Sequence, residues 1–122
     1  MGYQQKNESR TLKEELTNFT GTEHYYRHWL EFNYTDGVKF LAEKANCFWL
    51  LDAIGSYQHK LKEKGFQIWT LKVNEDKLAV LQMQEDSDTP IIVKQEIEYT
   101  DFPTEEIKLY FINGVLLLTS EY

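Results

Sequence analysis

The periodicity of the chain changes at Gly65, and that change constrains the fold more than any other feature. Before it, residues 45–64 place Phe48, Leu51, Ile54, Gln58 and Leu61 at three- and four-residue steps, with Trp49, Leu50 and Ala53 broadening the stripe. That spacing predicts a long amphipathic helix. Lys60, Lys62 and Lys64 suit its negative end, and Gly65 supplies a stop. After Gly65 the pattern is strand-like over 66–73, 77–83 and 91–99, with acidic or turn-forming residues between. Residues 107–112 and 115–119 flank Asn113-Gly114, the strongest hairpin signal in the sequence. Both faces of 66–73 hold apolar residues, which predicts a central strand. Helix followed by strands reads as α+β: a single domain over 1–122, mainly an antiparallel β-sheet packed against one long central helix.

Upstream, Ser9 followed by Leu12, Leu16 and Phe19 predicts an N-cap and a short N-terminal helix, with Glu14 and Glu15 in its turns, Thr20-Gly21-Thr22 ending it, and residues 1–8 flexible. Residues 25–34 are rich in aromatics and turn at Thr35-Asp36-Gly37 into Val38-Lys39-Phe40-Leu41, which predicts a β-hairpin. Glu31 to Asp36 and Glu96 to Asp101 echo one another, as two strands ending in Thr-Asp turns would.

A chain of 122 residues is long enough to bury a core without staples, and its one cysteine, Cys47, has no partner for an intramolecular disulfide. Residues 1–10 contain no apolar signal segment and no run is long enough to span a bilayer, so a cytoplasmic protein without membrane contact is expected. The net charge of −7 lies wholly in the second half: residues 1–64 hold nine basic and nine acidic side chains, residues 65–122 four and eleven. Such a surface repels phosphate backbones and favours basic partners, so direct nucleic-acid binding is not expected.

No motif fixes a chemistry. His24 and His28 are four apart but lack the ligand spacing of zinc sites, so no metal or cofactor is expected. Cys47 near a helix start invites a reactive thiolate, yet Phe48, Trp49 and Leu50 favour a buried, inert thiol. Asp36 and Asp101 read as turn formers, and Asp52 stands out in an apolar helix, either at its solvent edge or in a polar contact. Phosphate loops and hydrolase elbows are absent, so no catalytic residue is assigned.

The segments Phe19-Thr20-Gly21-Thr22-Glu23, Tyr34-Thr35-Asp36-Gly37-Val38, Trp49-Leu50-Leu51-Asp52-Ala53-Ile54, Phe66-Gln67-Ile68-Trp69, Tyr99-Thr100-Asp101-Phe102-Pro103 and Ser120-Glu121-Tyr122 resemble an uncharacterised bacterial family of unknown function. That resemblance implies a bacterial, cytosolic setting in genomes, plasmids or phage-like elements, and carries no activity or site residues.

Two functional expectations follow. The leading one is a non-enzymatic interaction protein whose acidic face, Glu75, Asp76, Glu85, Asp86, Asp88, Glu96, Glu98, Asp101, Glu105 and Glu106, meets a protein with a basic surface. Inhibition of a nucleic-acid-binding host or defence protein by charge mimicry is its sharpest form. The alternative is a small-molecule binder or enzyme with a pocket between sheet and helix, lined by Tyr25, His28, Tyr34, Trp49, Asp52 and Trp69. A homodimer through an exposed strand of the terminal hairpin is a third.

Overall fold

The computed structural model describes residues 8–122, so the expected flexible segment lies outside the described residues except for Glu8. Glu8 begins α1 (Glu8–Leu16), one residue ahead of the expected cap Ser9. The chain then forms a short hairpin of β1 (Tyr25–Arg27) and β2 (Asn33–Thr35), followed by α2 (Asp36–Lys44) and α3 (Phe48–Ser56). A single 3₁₀ turn at Gln58–Lys60 leads to five strands: β3 (Phe66–Val73), β4 (Ala79–Gln84), β5 (Val93–Ile97), β6 (Glu106–Ile112) and β7 (Val115–Leu118). A last 3₁₀ turn, Thr119–Glu121, closes the chain.

All seven strands form one sheet in the order β1-β2-β7-β6-β3-β4-β5. Every pairing is antiparallel except β2 with β7. As expected, β3 is central: it lies between β6 and β4, and Gln67, Ile68, Trp69, Thr70 and Leu71 are all buried. Trp69 and Leu71 face the helical layer and share one core with Val38, Leu41, Leu50, Leu51 and Ile54. By strand alternation, Phe66, Ile68, Thr70 and Lys72 face the other side. There Phe66 and Tyr110 pack edge to face with Tyr122, at centroid distances of 5.8 and 5.3 Å.

Two sequence expectations are corrected. There is no long central helix: the helices among the described residues are short, and residues 45–64 divide into the end of α2, α3 and the 3₁₀ turn. Asn46 takes a left-handed backbone (φ 51°) and Cys47 donates its N–H to the Ala42 carbonyl, which ends α2 before α3 can begin. At the far end the Gln58 amide donates to the Ile54 carbonyl (3.1 Å) and pairs reciprocally with buried Gln67 (2.9 and 2.8 Å), whose Oε1 also accepts from the Trp69 indole (2.8 Å). That polar chain holds Gln58 at the start of the 3₁₀ turn that follows α3.

The second correction concerns Thr35-Asp36-Gly37, which opens α2 instead of turning a hairpin. The Thr35 hydroxyl accepts from the Val38 N–H (3.3 Å), an N-cap bond. Val38, Leu41 and Ala42 are fully buried at helical spacing, so the apolar residues read as a strand are a helix face. The hairpin itself turns earlier, where Glu31 has φ 71° and the Phe32 carbonyl accepts from the His28 N–H (2.8 Å). The terminal Asn113-Gly114 hairpin forms as expected, with both residues at positive φ (48° and 85°). Its strand β7 is covered by β2, so it offers no free edge.

No helix among the described residues is long and apolar enough to cross a membrane.

The β1–β2 turn packs on α3 at Gly55, where an added Cβ would stand 2.6 Å from the Phe32 ring and 3.0 Å from Leu30. Gly55→Ala is therefore expected to destabilise the fold by about 1 to 3 kcal/mol, although alanine is the better helix former. Urea unfolding measures it, and an unchanged midpoint would show that the hairpin rides loosely on α3.

Candidate functional site

Two connections from one end of the sheet carry most of the acidic residues singled out above. The β3–β4 turn holds Glu75 and Asp76, and the β5–β6 connection holds Glu98, Asp101 and Glu105, with Glu106 opening β6. The turn is built by Asn74, whose side-chain oxygen accepts from the N–H groups of Asp76 (2.9 Å) and Leu78 (3.0 Å). The second connection is tied to it by Thr100, whose N–H donates to the Lys77 carbonyl (2.9 Å) and whose hydroxyl accepts from Phe102 (3.1 Å). Phe102 is 2% exposed and anchors the loop.

These ties leave Glu75, Asp76, Glu98, Asp101, Glu105 and Glu106 exposed, and none of them takes part in an ion pair among the described residues. Beside them lies a cleft of about 430 Å³ lined by Leu78 and Val80, by the strand edges at Val73, Ala79 and Ile97, and by Lys72, Asn74, Glu96 and Glu98. Leu78 is 46% exposed within it.

The acidic residues do not all share one face. Glu85, Asp86 and Asp88 belong to the β4–β5 connection at the opposite end, a six-residue strand or about 20 Å away. Glu85 is paired there with Lys64 (3.3 Å). Glu96 lies within β5, opposite Val80.

Nor do the six candidate pocket residues line one cavity. Trp69 is 1% exposed inside a filled core, and Tyr25 is an exposed residue of β1. Trp49 is half-buried against the core. His28 and Asp52 do meet: His28 Nε2 lies 2.7 Å from Asp52 Oδ1, while Nδ1 accepts from the Leu30 N–H (3.0 Å). That acceptor role leaves the proton on Nε2, so the imidazole donates to Asp52. Trp29, which the sequence reading passed over, donates its indole N–H to the same oxygen (3.2 Å), and the His28 ring stacks on Phe32 (4.5 Å) near the edge of Tyr34 (6.4 Å). With both ring nitrogens occupied, this pair fastens the β1–β2 turn to α3. Asp52 is thus in a polar contact at the rim of the helix.

A second polar knot surrounds Asp36. One carboxylate oxygen accepts from the Glu23 (3.0 Å) and His24 (3.3 Å) N–H groups, and the other from the Tyr26 hydroxyl (2.9 Å). The Glu23 N–H, with lesser help from Tyr26 and His24, holds the Asp36 carboxyl below its ordinary pKa against a smaller penalty from burial. The hydrogen bond to Asp36 raises the Tyr26 hydroxyl. An open cleft of about 680 Å³ lies alongside, between Phe19, Gly21, Tyr26, Lys39 and Glu43. Two of its charges engage each other, since Lys39 pairs with Glu43 (3.2 Å) and sits 5.1 Å from the Tyr26 ring centre. Cys47 is fully buried, and burial pushes its thiol up to about 12, far from a thiolate. His24 and His28 belong to separate knots, and no group of three or more His, Cys, Asp or Glu among the described residues could hold a metal ion.

A family model described as Family of unknown function (DUF6876) matches residues 10–122. The chain belongs to DUF6876. No curated protein and no solved structure matches it.

In this DUF6876 chain three of the segments on which the resemblance rests meet at the start of α2. Thr22 accepts from the Asp36 N–H (2.9 Å), and Glu121 accepts from Thr35 (2.6 Å), Gly37 (3.0 Å) and Leu118 (2.9 Å). They build the scaffold there, while the Tyr99–Pro103 segment ties and anchors the acidic β5–β6 connection.

Because the folded Asp36 pKa is depressed, its contribution to stability is complete above the ordinary carboxylate pKa and is lost as pH falls through the lower folded value. Asp36→Asn should therefore lower stability at neutral pH and flatten that part of the acid limb, as read by thermal melts across pH. For the other knot, His28→Ala and Asp52→Ala should each cost at least about 1 kcal/mol, and the double variant less than their sum. Additive losses in urea titrations would show the two side chains to be uncoupled.

Proposed function

We propose that this protein is a non-enzymatic interaction module that receives a basic segment of a partner protein at the acidic end of its sheet. The observation that carries this reading is the apolar-floored cleft beneath Leu78, rimmed by Glu96 and Glu98 and flanked by exposed carboxylates free of ion pairs among the described residues. An arginine or lysine has the matching shape: its aliphatic stem can lie on Leu78 and Val80 while its charged head reaches Glu96 and Glu98. Glu75, Asp101 and Glu105 extend the negative field beyond the cleft, which speeds encounter with a positive surface.

The acidic loops on this end also suit a protein that imitates a phosphate backbone, so the partner class proposed is one whose basic surface ordinarily meets nucleic acid. A bacterial, cytoplasmic setting and a role against a host or defence protein form part of the same proposal. Against the small-molecule reading stands the filled core between sheet and helices, where Leu50, Leu51, Ile54, Trp69, Leu81 and Met83 leave no exposed surface.

The test is binding of a fluorescent arginine- and lysine-rich peptide to the whole protein, titrated at low and high salt. Binding is expected to weaken steeply with salt and to fall about tenfold or more in Glu98→Lys/Glu105→Lys, while Glu85→Lys at the opposite end changes it little. Equal losses at both ends would reduce the effect to net charge, and salt-independent or absent binding would remove the reading.

A further inference from the structure

The sheet has two outer strands. β1 is three residues long, whereas β5 presents a five-residue outer edge. The carbonyls of Met83 and Lys77 accept from the N–H groups of Ile92 and Thr100, which places the odd-numbered residues of β4 toward β5. Their register partners Val93, Gln95 and Ile97 point back at β4. By the alternation of an antiparallel ladder, Lys94 and Glu96 direct their backbone N–H and C=O groups outward. Beyond β4, no hydrogen bond or ion pair among the described residues engages either of them.

The order of side chains along this edge is self-complementary. If a second copy of β5 is laid antiparallel with Gln95 facing Gln95, Lys94 falls opposite Glu96 of the other copy, and Glu96 opposite its Lys94. Val93 then faces Ile97, and just outside the strand Ile91, 42% exposed, faces Tyr99, 70% exposed. The outward backbone groups of Lys94 and Glu96 are the ones this register pairs, giving two hydrogen-bonded residue pairs related by a two-fold axis. Charges on an edge strand commonly guard against sheet extension, and a single sign would do so here. Opposite signs placed symmetrically about Gln95 favour one register and one partner.

We propose that the protein self-associates through β5, two copies pairing edge to edge in antiparallel fashion about Gln95 to make one continuous sheet. The contact is a single short strand with two flanking apolar pairs, so it is concentration-dependent and smaller than a standard protein interface. It differs from the acidic-end reading in partner, and although Glu96 borders both surfaces, its test by self-association stands or falls without that reading.

Sedimentation velocity across about a hundredfold range of concentration tests it, because a reversible dimer must follow mass action. The wild-type chain should move from 14.5 kDa toward twice that mass as concentration rises. Lys94→Glu places acid opposite acid and Glu96→Lys base opposite base, so each should weaken association about tenfold or more. Mixing those two variants restores unlike pairs and should recover a dimer, as should the double exchange Lys94→Glu/Glu96→Lys. Lys94→Pro, which deletes an outward N–H alone, should also leave a folded monomer by circular dichroism. A wild-type chain that stays at 14.5 kDa throughout overturns the proposal, as does a dimer indifferent to these changes or charge reversals that mixing fails to rescue.

Discussion

The first turn of α2 is where the chain is bound to itself. Its outer side is held by Thr22, which accepts from the Asp36 N–H, and by the amides of Glu23 and His24 on the Asp36 carboxylate. Its inner side is held by Glu121, whose carboxylate takes the Gly37 N–H, the Thr35 hydroxyl and the Leu118 N–H. A helix begins with amides that have no intrahelical partner, and a negative group is favoured beside them. Here both carboxylates come from within the chain, one from the helix itself and one from the far end of the sequence. Gly37 makes the inner contact feasible, since a Cβ there would stand 2.6 Å from Leu118 and 2.7 Å from Glu121. The same juncture sets β2 beside β7, the one parallel pairing in the sheet, and so joins the N-terminal hairpin to the strands formed after Gly65.

From that juncture the division of labour follows. The helices close over one face of the sheet, fastened to the β1–β2 turn by His28 to Asp52 and to β3 by Gln58 to Gln67. Most polar side chains that look chemically suggestive in the sequence are consumed in this fastening. The acidic connections at the β3–β4 end, by contrast, bond mainly through Asn74 and Thr100 to backbone, and leave their carboxylates to solvent. A surface built so that its scaffold is satisfied and its charges are not is suited to meeting another molecule.

The strands after Gly65 were legible because alternation, turn residues and Asn113-Gly114 all agree, and β3 spans 66–73 as its two-sided apolar pattern implies. The helical half was less legible for a definite reason. Thr-Asp-Gly serves equally as a tight turn and as a helix start, and what decides between them is Glu121, more than eighty residues away in sequence. Likewise the stripe from Phe48 to Leu61 does not reveal that the helix gives way to a 3₁₀ turn at Gln58, whose amide pairs with a strand glutamine. Asp52 announced itself as an anomaly and proved to be a contact. Trp29 gave no signal beyond being aromatic, although an indole N–H one residue after a histidine is a donor that an exposed loop would have to place. The spread of the acidic residues over two ends was invisible, since sequence proximity from 75 to 106 conceals strand reversals.

The charge that distinguishes the second half of the chain therefore has two structural meanings. At the connections it is concentrated and, Lys77 apart, negative, and its long-range effect is attraction of a basic surface. Along β5 it alternates, Lys94 then Glu96, and a net-charge count cancels it altogether. Like signs on that edge would repel a second strand wherever they met, whereas Lys94 and Glu96 repel the register centred on Lys94 and favour the one centred on Gln95. A chain of strongly negative total charge should resist self-association at long range, so any pairing of copies must rest on short-range complementarity of this kind. The two surfaces are for that reason separable by salt: screening weakens the acidic end over its whole field, but affects an edge-paired strand, whose hydrogen bonds are backbone to backbone, much less, and reduces the repulsion between two negative chains.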